Sequence, residues 1–394
     1  MISEEEACSR LLQTIRLLPS RRVNVADAGN CFAAEDLFAR IPLPVFDNSA
    51  MDGYAVVASS SAHGSRLRVI GEQPAGLDRR LRVSAGEAVR IFTGAPIPVG
   101  ADAVIMQEDV TRNGGEIVVK TTVAPGEFIR RQGCDLAKGQ KILAKGGRIR
   151  ATTVALLASQ GLLEIAVGGE VEAAIISTGD ELIGPGESIE PGQIYDSNSA
   201  LLRALLEGTG ARVASVEHCR DKPEPLRDAM RRGRSHPLLI LTGGVSVGEH
   251  DLVRTTLQSL GGEIDVWRVA IKPGKPFLFG RLGGCALFGL PGNPVSAFAT
   301  FLAFVRPAIL KMMGASTAEL TLPTFDATLA ADVKNEGDRA HYIRGRLKDG
   351  TFAPIGRQES HALFGLSQAN SILRLAPSSH VKAGSVIKVQ IWDL

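Results

Sequence analysis

The sequence predicts a multidomain α/β protein, with a Rossmann-like parallel-sheet domain at its centre, β-rich N-terminal lobes before it and a small C-terminal β domain after it. Three observations carry that prediction. A chain of 394 residues is too long for one ordinary core and points to two to four domains. From residue 171, strand-like and helix-like segments alternate, as they do where crossover helices join parallel strands. On either side of that region, 45–140 and 320–394 hold short β-like runs separated by Gly and Pro.

Taken in order, "MISEEEACSRLLQTIRLL" opens with a capping box, Ser3 with Glu6, followed by Ala7, Leu11, Leu12, Ile15 and Leu18 on a helical period. Its acidic start is unlike the basic start of a signal peptide. "RLRVIG", "AVRIF", "DAVIMQ" and "EIVVK" supply the runs of the β-rich lobe. "RIRATTVALLASQGLLEIAV" (148–167) reads as a helix that stops at Gly161 and packs back on the first helix. The alternation then runs "VEAAIIS", "SALLRALLEGTG", "RVASVEH", "KPEPLRDAMRRG", "PLLILTGG" and "DLVRTTLQSLGG". "PFLFGRL" and "CALFGL" form a hairpin around Gly283-Gly284, and Asp349-Gly350 marks a turn in the terminal β domain. The apolar stretch 294–313 contains Pro294, Arg306 and Pro307, and reads as a buried core helix rather than a membrane span.

With 44 basic against 42 acidic residues, the net charge of +2 gives no global field of the kind a nucleic-acid binder carries. Five scattered cysteines, an odd number without a CxxC pair, indicate neither a zinc knuckle nor a disulfide framework. A reducing, cytoplasmic location is expected.

In a parallel α/β sheet, ligands bind beyond the carboxyl ends of the strands, so the loops there should carry the chemistry. The first such loop, "STGDELIGPG", presents Ser177, Thr178, Gly179, Asp180 and Glu181. The third, "LTGGVSVGEHDLV", brings Gly243, Gly244, Ser246 and Asp251, and contains a GxSxG pattern in the strand–turn–helix setting of a serine hydrolase. Asp265, Asp326, His341 and His361 lie downstream, so a hydrolase using Ser246 is a rival reading. No HGGG-type oxyanion segment precedes it, and a Gly-rich turn facing a phosphate, with Asp251 on a cation, explains the glycines as well. In "AIKPGKPFLFG", Pro273, Gly274 and Pro276 stiffen a turn that fixes Lys272 and Lys275. "GLPGNPVSAF" sets Pro291, Asn293, Pro294 and Ser296 at a helix N-terminus, a second place suited to an anion. Together these loops point to a phosphate-bearing ligand and a divalent cation.

"FDNSAMDGYAV", "TGAPIPVGADAVIMQE", "RRQGCDLAKG", "STGDEL", "IYDSNS", "TGGVSVGEHD", "AIKPGKPFLFG" and "LPGNPVSAF", in this order and across essentially the whole chain, resemble the molybdopterin molybdenumtransferase family, that is, bacterial MoeA and the E domain of gephyrin-like proteins. The resemblance implies a four-domain subunit: a helical and linker domain from 1–44 and 141–168, a β-rich domain at 45–140, a molybdopterin-binding α/β domain at 169–313, and a C-terminal β-barrel domain at 314–394. It implies a homodimer that inserts molybdate into adenylylated molybdopterin with release of AMP, in a step dependent on Mg2+, and scope for contact with the molybdopterin adenylyltransferase. By motif, the family's important positions fall on Asp52, Thr93, Asp135, Glu181, Asp221, Asp251, Lys272 and Lys275, with Pro291 and Pro294 also matching. Asp180, Glu181, Asp221 and Asp251 are the implied cation ligands. Arg344 in "HYIRGRL" and Ser360 in "RQESHALFG" resemble positions that contact molybdate. In the family the site lies between subunits, which gives "DNSAMDG" a purpose: Asp52 faces the partner, while Asp47 and Asn48 shape its turn. Arg268 stands where relatives often carry lysine, which keeps the charge but not the shape. A gephyrin-like scaffold without catalysis competes with this expectation, as does a relative that only adenylylates molybdopterin.

Overall fold

The computed structural model describes residues 1–245 and 251–392. It divides into two compact units, one made of Met1–Glu35, Ala144–Ala158 and Leu162–Leu394, the other of Asp36–Leu143 with Ser159–Gly161.

Helix α1, Glu4–Thr14, begins where the sequence says it should, with the Ser3 hydroxyl accepting the Glu6 N–H at 3.0 Å. It buries Ala7, Leu11 and Ile15 in the main core of the larger unit. In the smaller unit, β1 (Gly53–Val56), β2 (Arg66–Gln73), β3 (Glu87–Ile91), β4 (Ala103–Met106), β5 (Val110–Asn113) and β6 (Glu116–Val119) form one sheet, ordered β4-β1-β3-β2-β6-β5. Gly53 is forced there, because a Cβ would lie 1.9 Å from the Ile105 carbonyl oxygen of the neighbouring strand.

Returning to the larger unit, α2 spans Ala151–Ser159 and ends before Gly161, whose φ of 69° no side chain tolerates well. Residues 164–167 then pair as a strand with 21–24, so the helical reading of 148–167 holds only for its middle. The principal neighbours of α1 are a central-sheet strand and the long core helix described below, not α2. Only Leu157 of α2 is buried; Ala151, Ala155 and Ala158 are exposed.

The central sheet uses β7 (Glu172–Thr178), β8 (Arg212–Cys219), β9 (Leu238–Thr242), β10 (Glu263–Trp267), β12 (Leu278–Leu282) and β13 (Cys285–Leu290) in the order β8-β7-β9-β13-β12-β10. Its first four members are parallel, joined through helices α3 (Ser197–Thr209), α4 (Pro223–Gly233) and α5 (Leu252–Ser259). The expected hairpin closes β12 onto β13 with Leu282 opposite Cys285. Residues in β7 and β9 are almost wholly buried, as strands covered on both faces must be. Helix α6, Pro294–Met312, is long and apolar enough to cross a membrane, but most of it is buried in this core.

The terminal domain closes a five-stranded barrel from β14 (Thr324–Leu329), β15 (Ala340–Lys348), β16 (Thr351–Pro354), β17 (Ser371–Leu375) and β18 (Val386–Ile391), ordered β15-β16-β14-β18-β17 and back to β15. Asp349 and Gly350, both at positive φ, make the two-residue turn between β15 and β16. The two-residue strand β11, Ile271–Lys272, leaves the central domain to pair in parallel with β15, setting Lys272 opposite His341.

Candidate active site

Within the larger unit, a cavity of about 810 Å3 opens at the carboxyl ends of β7, β9 and β13. Thr178 ends β7, Thr242 and Gly243 follow from β9, and Pro291 to Pro294 lead from β13 into α6. Lys272 and Lys275 line it, as do Glu181 and Asp196. The barrel contributes Arg339 and residues Gln358 to His361.

Each wall has a local reason for its shape. Gly243 sits at φ 86°, with its α-carbon so close to β7 that a Cβ would meet the Thr178 carbonyl oxygen at 2.1 Å. Gly274 bends the lysine turn at φ 121°, where a Cβ would strike Thr300 and Ile271. Directly after that turn, Phe277 is wholly buried and its ring lies 4.5 Å from that of Phe304 in α6. Burying such a ring contributes roughly 1.5–3 kcal/mol, which anchors the lysine turn to the core. Asn198, 8% exposed, donates to Thr242 Oγ1 at 2.8 Å and to the Gly292 carbonyl at 2.7 Å, tying the start of α3 to two strand ends. Ser360 ties the barrel to α6: its hydroxyl accepts from Asn293 Nδ2 at 2.9 Å and its carbonyl from the Val295 N–H at 3.1 Å.

Of the residues singled out from sequence, Thr178, Glu181, Gly243, Lys272, Lys275, Pro291, Asn293, Pro294, Ser296 and Ser360 line this cavity. Ser177 does not: it is wholly buried, its hydroxyl 3.2 Å from His218 Nδ1. Gly179, Asp180 and Gly244 flank the lining. Asp221 stands one residue behind it, accepting a hydrogen bond from the Thr178 hydroxyl. Asp251 is 2% exposed and caps α5, accepting from the Arg254 N–H at 2.9 Å and from the Trp267 indole at 3.3 Å. Arg254 and Arg268 lie over that indole at 4.1 and 3.8 Å, so Arg268 serves here by stacking on an aromatic face. Ser246, on which the hydrolase reading rests, lies outside the described residues.

Arg344, which the resemblance pairs with molybdate, is not among the residues that line this cavity. It is 1% exposed, and its guanidinium donates to the carbonyls of Arg357 and Glu359. Gln358 completes this clamp, accepting from the Arg344 N–H at 3.1 Å and donating to its carbonyl at 3.0 Å. Arg344 therefore stands behind the cavity wall and shapes the loop that carries Ser360. The same strand explains what sequence reasoning missed: Arg339, at the entry of β15, donates to the Ile271 carbonyl at 3.2 Å and brings a third cation to the cavity.

His341, 7% exposed, has its pKa pushed down to about 4 by burial first, then by the charges of Lys272, Arg339 and Arg344. An unfolded histidine titrates near 6.5. The unfolded chain thus binds more protons than the folded one between about pH 6.5 and 4, and stability should fall as the pH drops through that window. Urea midpoints measured against pH are expected to show this fall, and His341→Phe to flatten it. An unchanged slope in the variant would assign the effect to other groups.

The smaller unit brings two further predicted residues together. Asp52 Oδ1 accepts from the Thr93 N–H at 2.7 Å and from its hydroxyl at 2.8 Å, bonds that hold the exposed carboxyl below its usual pKa. Asp47 closes the loop before it, accepting from the Gln132 N–H at 2.7 Å and pairing with Arg131 at 2.6 Å. Asp135 is exposed and its side chain has no partner among the described residues.

Among the described residues, no three His, Cys, Asp or Glu side chains gather closely enough to hold a metal ion by themselves. Asp251 is committed to a helix cap and an indole, and Asp180 does not face the cavity. What remains suits an ion that arrives with a phosphate ligand and takes one or two protein carboxylates, the usual habit of magnesium. Glu181, and Asp221 behind Thr178, are the carboxylates here that could serve such an ion.

Three family models match successive parts of the chain: the MoeA N-terminal region (domain I and II) at residues 2–161, a probable molybdopterin binding domain at 174–311, and the MoeA C-terminal region (domain IV) at 326–392. A molybdopterin molybdenumtransferase of Haemophilus influenzae is 36% identical, the alignment covering 100% of this chain and 99% of that one. Molybdopterin molybdenumtransferase 2 of Mycobacterium tuberculosis is 35% identical over 91% of each chain. Among solved structures, the molybdopterin biosynthesis MoeA protein of Pyrococcus horikoshii OT3 superposes with a TM-score of 0.86 at 30% identity, covering 100% of both chains. Matches of this extent, in the same domain order, make the chain a member of the MoeA family of molybdopterin molybdenumtransferases.

Proposed function

We infer that this protein inserts molybdate into adenylylated molybdopterin with release of AMP, the final step of molybdenum cofactor biosynthesis. The observation that carries the reading is the convergence of Lys272, Lys275 and Arg339 on one cavity that also receives Thr178, Gly243 and the N-terminus of α6. Both substrates are anions, and bringing them together costs Coulomb energy that fixed cations in a partly dry cleft offset. The two ammonium groups hold molybdate and a substrate phosphate as point charges. Bound magnesium would withdraw charge from the phosphate undergoing displacement. The Thr178 hydroxyl donates to Asp221 and so ties the end of β7 to the residue behind it, and the Arg344 clamp keeps Ser360 against Asn293.

The working molecule is a homodimer in which Asp52 and Thr93 of one copy complete the cavity of the other. The exposed Ala151, Ala155 and Ala158 of α2 offer small apolar side chains for an association of copies. Five free thiols, with Cys285 pushed up to about 12 by burial, fit a reducing cytoplasm. Purified protein given adenylylated molybdopterin is expected to release AMP on addition of molybdate. Absence of AMP release, with substrate still bound, would favour the scaffold reading instead.

A further inference from the structure

A second cavity, of about 850 Å3, lies at the opposite ends of the helices that frame the first. The insertion cavity touches the start of α3 and of α6, whereas this one is lined by Gly208 and Thr209 at the end of α3 and by Arg306 and Leu310 late in α6. On α3, Asn198 faces the first cavity and Ala204 the second, roughly 9 Å apart along the helix at 1.5 Å per residue.

Its charge is unbalanced. Among the described residues, Arg148, Arg150 and Arg306 face one carboxylate, Glu319. Arg148 Nε lies 3.5 Å from Glu319 Oε2, with both side chains about three-quarters buried, and its guanidinium covers the Phe32 ring at 4.9 Å. Arg306 donates through Nη1 to the Leu320 carbonyl at 2.9 Å and is half-buried. Arg150 has no side-chain partner among the described residues. Burial, and the charge of Arg148 next to it, pull the Arg306 pKa down to about 10. Arg150 is exposed, but Arg148 and Arg306 are held largely out of water with one carboxylate between them, which is costly, and a guanidinium cannot escape the cost by releasing its proton at neutral pH. Leu205, Leu302, Leu310 and Trp392 give the same cavity an apolar wall.

We propose that this cavity is a binding site for a phosphomonoester, its phosphate held by Arg148, Arg150 and Arg306 and its body laid on the Leu302 and Trp392 wall. The residual charge of three guanidiniums against one carboxylate matches a phosphate that carries between one and two negative charges at neutral pH. Guanidiniums also present paired N–H donors that suit phosphate oxygens. The site stands whether or not the reading of the first cavity holds.

Calorimetric titration of phenyl phosphate and of inorganic phosphate into the full-length Lys272→Ala protein tests this, because that background weakens anion binding at the insertion cavity. Phenyl phosphate is expected to bind, with inorganic phosphate weaker, and both Arg150→Ala and Arg148→Gln are expected to weaken it at least tenfold. Equal affinity with and without Arg150 would overturn the proposal. So would binding that Lys272→Ala abolishes, which would place the ligand in the first cavity. Flat titrations together with a change of mass in light scattering for Arg150→Ala would overturn it too, assigning the arginines to a contact between copies.

Discussion

Lys272→Ala is expected to slow molybdate-dependent AMP release at least about a hundredfold, equivalent to about 2.7 kcal/mol of lost transition-state stabilisation. The size follows from where the charge sits. Lys272 lies on the cavity wall in a two-residue strand held by β15 on one side, followed by a turn that Gly274 and the buried Phe277 fix in place. An ammonium so positioned needs no rearrangement as charge moves between phosphate and molybdate oxygens, and water entering the truncated site cannot reproduce it. Lys272→Arg should recover only a fraction, because the planar guanidinium is longer and places its donors elsewhere. The melting temperature of the alanine variant should stay within a few degrees of the parent, because the side chain reaches solvent in the cavity. A variant with parental rates of AMP release would remove Lys272 from the reaction.

The second large effect concerns the smaller unit. Asp52→Ala is expected to abolish insertion without unfolding the protein, because Asp52 is exposed and its partners are the N–H and hydroxyl of Thr93. If Asp52 serves the cavity of the other copy, a heterodimer of Asp52→Ala with Lys272→Ala contains one cavity with both defects and one with neither. Random re-pairing of two dead variants should then restore about a quarter of parental activity, the arithmetic of a two-fold symmetric pair. Mixing, dissociating and reassociating the variants while following AMP release measures this directly. No recovery, in a mixture shown by mass to contain heterodimers, would mean that both residues serve one cavity within a single copy.

The strand and helix alternation was legible because period and turn chemistry agree locally: Ser3 with Glu6, Gly283-Gly284 and Asp349-Gly350 each do what their residue types favour. The lysine turn was legible for the same reason, since prolines and a glycine around two cations leave few other conformations. The limits of α2 were not legible, because 164–167 is a strand only through its pairing with 21–24, more than a hundred residues away. Acidic residues were the hardest to place. Asp251 and Glu181 look alike in sequence, yet one caps a helix beneath an indole and the other faces the cavity. Arg344 reads as an exposed strand arginine until the barrel closes and the 357–359 loop folds over it. Asn198 lies in the quoted block "IYDSNS" without a role of its own there, and Arg339 carried no local signal, because the importance of both arises from contacts with segments far away in the chain.

The pairing of β11 with β15 has a consequence for how such proteins can be recombined. A chimera joined anywhere between residues 313 and 324 would take its 271–276 loop from one parent and the strand that braces it from another. If the lysine turn handles the oxyanion as proposed, the heritable module is discontinuous, and an exchange meant to transplant ion preference must carry both segments to succeed.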